Sequence, residues 1–270
     1  MPKFDPTKRV GFSGHNIRLP DGSVTIPDEP GFIADAPQLH SVLKDMSLIY
    51  GGDLSGKSII DLGCLEGGYA LEFAKRGMIS TGLEVRPSNY ENCLKVKDAF
   101  DLPNLNFVND DCWNMAKYGT FDVTFCIGLL YHLDRPRDFI NLMSSCTKNA
   151  IFIHTHFAPL DDETAHTLSP MTEHEGLPGR WLPEHQGGSK EDLDKLKWHS
   201  WENQKSFWPT RHGLVHAMRV AGFDMVFEQY DLWGGVELLD VLDKGYYKTH
   251  QRGLFVGIKS DSLQRISTRG

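Results

Sequence analysis

The chain has 270 residues, enough to bury a substantial core, with 40% hydrophobic and 24% charged residues as in ordinary globular proteins. No apolar run approaches membrane-spanning length, and the first residues lack the apolar segment of a signal peptide. The formal charge of −8 argues against a large nucleic-acid footprint, and five cysteines with no C-x-x-C pair read as reduced thiols of a cytoplasmic protein.

Residues 1–45 read as a loop-rich N-terminal arm with a turn at Asp21-Gly22. The arm either packs outside the core or covers the mouth of a substrate site. Leu39, Val42, Leu43, Met46 and Ile49 keep a helical period from Pro37 to Tyr50. The stretch from Lys57 to Arg76 organises the rest. Ile59, Ile60 and Leu62 form a strand, Gly63 to Gly68 form a glycine-rich turn, and Tyr69, Ala70, Phe73 and Ala74 recur at helical spacing before Gly77.

A second strand spans Met78 to Glu84 and a helix Pro87 to Phe100. Further strands are expected at Asn104 to Val108, Thr120 to Ile127 and Asn149 to His156, with a helix from Pro136 to Thr147. Strands alternating with helices imply an α/β fold with a mostly parallel sheet covered on both faces. Residues 157–207 break the pattern and read as a long, structureless cap insertion, with a flexible joint at Gly187 to Lys190. A helix from Pro209 to Val220 and strands from Phe223 to Tyr230 and Leu254 to Lys259 follow. A second insertion covers 232–253 and a frayed tail ends the chain, all within one domain.

A glycine loop followed by an acid at the end of the next strand suits a dinucleotide or S-adenosylmethionine, since both carry a ribose diol. The run Gly63-Cys64-Leu65-Glu66-Gly67 lacks the middle glycine of a dinucleotide loop. Asp61 and Glu66 would repel a pyrophosphate but suit a ligand bearing an ammonium and a sulfonium. The segment Ile59 to Gly67 resembles the first motif of the class I S-adenosylmethionine-dependent methyltransferases. Phe107 to Cys112 and Phe121 to His132 resemble two later motifs, with Glu84 at the position of the ribose acid. The resemblance implies a Rossmann-like, seven-stranded methyltransferase sheet with one antiparallel strand. It implies S-adenosylmethionine as cofactor, held by Asp61, Gly63, Cys64, Leu65, Gly67, Glu84, Val85, Asp111, Cys112 and Gly128, with Asp111 on the adenine amine.

Methyl transfer requires a positioned acceptor and, in places, a base. His132, His154 and His156, near the ends of the fourth and fifth strands, are the candidate catalytic residues. Each could equally do structural duty, by stacking or by bonding backbone. His154 and His156 with Asp161 or Asp162 would be a loose metal signal, and no metal is assigned. Tyr131, Arg180, Trp181, Trp208 and Arg211 are the candidate acceptor contacts, the arginines to pair an anionic group and the aromatics to form a lid. The insertion's aromatics could instead form its own small core.

Gly128 to His132, Phe207 to Thr210 and Ala221 to Phe223 also look like the tRNA wobble-uridine (carboxy)methyltransferase branch. The long insertion and acidic balance favour instead a small-molecule acceptor methylated on O or N. A non-catalytic S-adenosylmethionine-binding protein and, more remotely, an NAD dehydrogenase stand as alternatives. Nothing in the sequence sets the oligomeric state, a homodimer included.

Overall fold

The computed structural model describes residues 11–161, 166–230 and 251–260. The second insertion therefore lies outside the described residues over 231–250, as does the tail over 261–270 and Asp162.

Two compact units divide the chain at Asn114 and Met115. The first carries α1 (Pro37–Tyr50), β1 (Ser58–Leu62), α2 (Gly68–Lys75), β2 (Ile79–Glu84), α3 (Pro87–Phe100) and β3 (Leu105–Asn109). Pro37 and Pro87 stand in the first turns of their helices, where a missing N–H costs nothing. Gly77, with φ +81°, follows the end of α2. Ala70, Leu71 and Ala74 from α2, Cys93 and Val96 from α3, and Leu105 and Phe107 from β3 share one buried cluster with Ile17 and Leu19 of the arm. The turn at Asp21-Gly22 is present, closed by a single antiparallel bridge between Arg18 and Val24.

The second unit carries β4 (Phe121–Ile127), α4 (Pro136–Ser145), β5 (Thr147–His156), β6 (Thr172–His174), β7 (Leu177–Pro183), α5 (Lys190–Lys195), β8 (Lys205–Pro209), α6 (Arg211–Val220), β9 (Met225–Gln229) and β10 (Arg252–Ile258). The main sheet has seven strands in the order β3-β2-β1-β4-β5-β10-β9. Within the first unit β1 and β3 both run parallel to β2, and in the second β4 runs parallel to β5. Strand β10 is antiparallel to both neighbours, which makes it the one reversed strand the sequence implies.

One expectation needs correction. The segment 157–207 is not structureless: β6, β7 and β8 form a three-stranded antiparallel sheet. Its first hairpin turns through Glu175 and Gly176, with φ +53° and +72°. Two positive values are what a tight two-residue turn between twisted strands demands. The usual residues there are Asn-Gly or Asp-Gly, and Glu-Gly carries no such local signal. Glu175 also accepts from the backbone N–H groups of Arg137 and Asp138 at 2.9 and 3.1 Å, capping the first turn of α4. Helix α6 starts two residues later than its proline suggested. Pro209 ends β8, and the Thr210 hydroxyl caps the helix by accepting from Gly213 N–H at 3.1 Å.

Candidate functional site

The glycine loop of the first unit is built around two buried acids. Glu84, at the end of β2, accepts from Leu65 N–H at 2.9 Å and Arg86 N–H at 2.8 Å. The first of these bonds holds Leu65 in the left-handed region, at φ +52°. Asp61, 2% exposed, accepts from the Ala70 N–H, while its Oδ2 has no hydrogen-bond partner among the described residues. Gly63 and Gly67 take φ of +66° and +78°. A Cβ on Gly67 would lie 2.5 Å from the Phe107 ring. Gly67→Ala combines that clash with backbone strain, and should cost about 2–4 kcal/mol of unfolding free energy in a denaturant titration.

Glu66 contradicts the sequence argument. Its carboxylate does not await a cation. It accepts from three successive N–H groups of the arm, Ser13, Gly14 and His15, at 2.6, 3.0 and 2.9 Å. His15 completes the contact by accepting from Gly68 N–H at 2.9 Å. Burial drives the His15 ring down to about 4, which keeps that nitrogen free to accept. The arm is therefore fastened to the loop itself.

The other residues carried over by resemblance lie nearby in the chain with varied roles. Cys64 is buried, its sulfur 3.8 Å from that of Cys93, and none of the five cysteines forms a disulfide. The Val85 carbonyl accepts from Asn109 at 3.1 Å. Asp111 accepts from Trp113 N–H at 2.8 Å and stands just before the half-buried Cys112, which opens a 3-10 turn.

Burial pushes the Asp61 carboxyl up to about 8, and that of Glu84 up to about 7. Each holds a proton in the fold that it would release when unfolded, so the stability they contribute is complete below their ordinary values of 3.8 and 4.5. It is lost as pH rises through about 7 and 8. Denaturation of the ligand-free protein should show stability falling across that window, and a flat profile would contradict it. Two raised, buried carboxyls beside a helix start fit a ligand that brings positive charge.

In the second unit, Gly128 (φ +80°) ends β4 and donates to the His154 carbonyl at 3.0 Å. The 3-10 turn Leu130–His132 follows. The structure brings together His132, Tyr131, His156 and Trp208. Tyr131 lies 4.3 Å from the ring of His132 and 4.8 Å from that of His156. Trp208 stacks on His156 at 4.8 Å, nearly parallel at 12°, and its indole donates to the Tyr131 carbonyl at 2.8 Å. His166 joins edge-on, 4.9 Å from Trp208. His154 and His156 are pushed down to about 3, chiefly by burial and next by the Arg252 cation. Both rings are therefore neutral near pH 7. Among the described residues no group of three or more His, Cys, Asp or Glu could hold a metal.

Arg180, Trp181 and Arg211 stand elsewhere. The Arg180 guanidinium donates to the carbonyls of Pro159, Ser169 and Asp161 and so ties the insertion together. Trp181 packs with His174 and Phe207 in the small sheet's own core. Arg211 pairs with Glu228 at 3.0 Å and covers Phe157. Two residues that sequence reasoning missed belong to the cluster. Arg252, at the start of β10, lies over the Tyr131 ring at 5.3 Å, its Nε buried and without a hydrogen-bond partner among the described residues. Glu184, just past β7, bonds His132 at 2.9 Å. The sole local signal for Glu184 is an acid next to a proline, which is too common to single out.

A family model described as a methyltransferase domain matches residues 37–228. Pavine N-methyltransferase of Thalictrum flavum subsp. glaucum is 26% identical over 163 residues, which is 53% of this chain and 45% of that protein. The tRNA U34 carboxymethyltransferase of Campylobacter hominis is 32% identical over 123 residues, 41% of this chain and 40% of that one. The matches thus span less than half the length of these curated relatives. Among solved structures, the N-terminal domain of EvdMO1 with SAH bound matches with a TM-score of 0.61 at 20% identity, over 83% of this chain and 82% of that one. At that identity the likeness is one of fold. No helix among the described residues is long and apolar enough to cross a membrane.

Proposed function

Because the chain belongs to the class I S-adenosylmethionine-dependent methyltransferases, we propose that it methylates an oxygen or nitrogen of a small-molecule acceptor. The observation that carries this reading is the compact group of His132, Tyr131, His156 and Trp208, which offers stacking faces and one base in a small space. The matched N-methyltransferase, whose printed name gives a small molecule, points the same way.

On this reading Asp61, the loop at Gly63, Leu65 and Gly67, Glu84 and Asp111 hold the cofactor. When bound, S-adenosylmethionine supplies an electrophilic methyl carbon on a sulfonium. Glu84 keeps lone pairs beyond those used by Leu65 and Arg86, enough to accept from a ribose diol. A cationic ligand would draw the protons off Glu84 and Asp61 and favour their charged forms, whereas Glu66 serves the arm and not the ligand. The residues of the second unit orient the acceptor, exclude water and take up its proton.

Calorimetry with S-adenosylmethionine, then release of S-adenosylhomocysteine on adding a cell metabolite extract, tests the proposal. Binding with turnover supports it, and binding without turnover would leave a non-catalytic binding protein. The match to a tRNA-modifying enzyme favours a second reading. Titration with bulk tRNA across salt concentrations decides it, because a true phosphate footprint weakens by orders of magnitude between about 50 and 200 mM salt.

A further inference from the structure

We infer that Glu184 is the positioning residue that makes His132 the general base for the acceptor, an inference that rests on the methyltransferase reading. Glu184 Oε1 lies 2.9 Å from His132 Nδ1, with the carboxylate side chain 2% exposed and the imidazole 15% exposed. The carboxylate is held from its other side as well. Its Oε2 accepts from Ser200 N–H at 3.0 Å, and the Glu184 N–H donates to the Gln204 carbonyl at 2.9 Å. Burial pushes the Glu184 carboxyl up, but the bonds and charge from His132 and the Ser200 N–H outweigh it and hold it below the ordinary value.

A carboxylate can only accept, so the His132 nitrogen it touches must carry the hydrogen. In the neutral ring that fixes the tautomer and leaves the lone pair on Nε2. The backbone around His132 is pinned too. Asn203 donates to the His132 carbonyl at 3.2 Å, and Phe207 N–H to that of Leu133 at 2.9 Å. The small sheet and the segment before it thus set both the position of the ring and which nitrogen faces Glu184. His154 and His156 have no carboxylate partner among the described residues, and both sit near the Arg252 cation.

In the step this supports, an acceptor O–H or N–H gives its proton to His132 Nε2 while its lone pair forms the new bond to the methyl carbon. The C–S bond breaks, and its electron pair stays on sulfur as neutral S-adenosylhomocysteine. Glu184 steadies the imidazolium through Nδ1–H until water removes the proton.

The test compares the full-length chain with Glu184→Gln and Glu184→Asp, all with S-adenosylhomocysteine bound. Ring ¹⁵N shifts should report a single Nδ1–H form of His132 in the wild type. They should report mixed tautomers in Glu184→Gln, whose amide can donate as well as accept. Carbethoxylation of His132 by diethyl pyrocarbonate, read by mass spectrometry, should slow by roughly tenfold in Glu184→Gln, and turnover with the metabolite extract by roughly 10²-fold. Glu184→Asp, which keeps the charge, should recover most of both, and it carries the comparison should Glu184→Gln not fold. Wild-type tautomer and reactivity in the variants would overturn the inference while S-adenosylhomocysteine still binds. Failure of the wild type to bind S-adenosylhomocysteine would instead overturn the methyltransferase reading itself.

Discussion

Glu84→Ala should weaken S-adenosylmethionine binding by about 10²-fold or more, and should also cost about 2–5 kcal/mol of unfolding free energy. The two losses share a cause. The carboxylate accepts from the N–H groups of Leu65 and Arg86, and its removal takes away the acceptor the two share. Each such group costs about 1–3 kcal/mol if it stays unsatisfied. Leu65 then keeps its left-handed conformation, at φ +52°, with the Cys93 thiol still on its carbonyl at 3.3 Å but without the bond to its N–H. The loop would relax, and the cofactor would lose a ribose acceptor and a shaped backbone together. Glu84→Gln should fall between, since an amide keeps one acceptor and the volume. Calorimetry and chemical denaturation read both effects, and a folded Glu84→Ala protein with undiminished affinity would contradict the assignment.

Glu66→Ala should release the arm. Three successive backbone N–H groups, from Ser13, Gly14 and His15, converge on this one carboxylate, with the Ser13 hydroxyl at 3.2 Å and Asn92 at 3.4 Å beside them. Hydrogen bonds to a charged group contribute about 1.5–3 kcal/mol each, so even partial compensation by water leaves a loss of about 3 kcal/mol or more. With the anchor gone, His15 should leave Gly68, and limited proteolysis should cut within residues 11–36. Cofactor affinity should fall as well, because Gly67 and Gly68 lose a neighbour that shapes them. An arm that stays protected in Glu66→Ala would contradict this.

The α/β pattern was legible because each element carried its own punctuation. Pro37 and Pro87 opened helices, Gly77 closed one, and Ile59, Ile60 and Leu62 read as a strand without knowledge of any partner. The small sheet of β6, β7 and β8 was not legible, because its strands are short and interrupted by proline and glycine, and its turn uses Glu175 in a left-handed conformation. Side-chain direction was the other limit. Glu66 sits in the glycine loop, yet its partners lie more than fifty positions earlier. Glu184 and His132 are likewise 52 positions apart. Pairings at that range arise from tertiary structure and leave no local period. Arg180 and Arg211 were plausible anion partners by residue type alone. Three carbonyls engage the first and Glu228 the second, and the arginine that does stand in the aromatic and histidine group is Arg252.

The most direct measurement of the central claim uses S-adenosylmethionine labelled in its methyl group, incubated with the protein and a cell extract, followed by separation into small molecules, protein and RNA. The account predicts label in a small molecule that separates from S-adenosylmethionine by chromatography, a product lost in Glu84→Ala. Label confined to RNA, or no transfer despite bound cofactor, would contradict it.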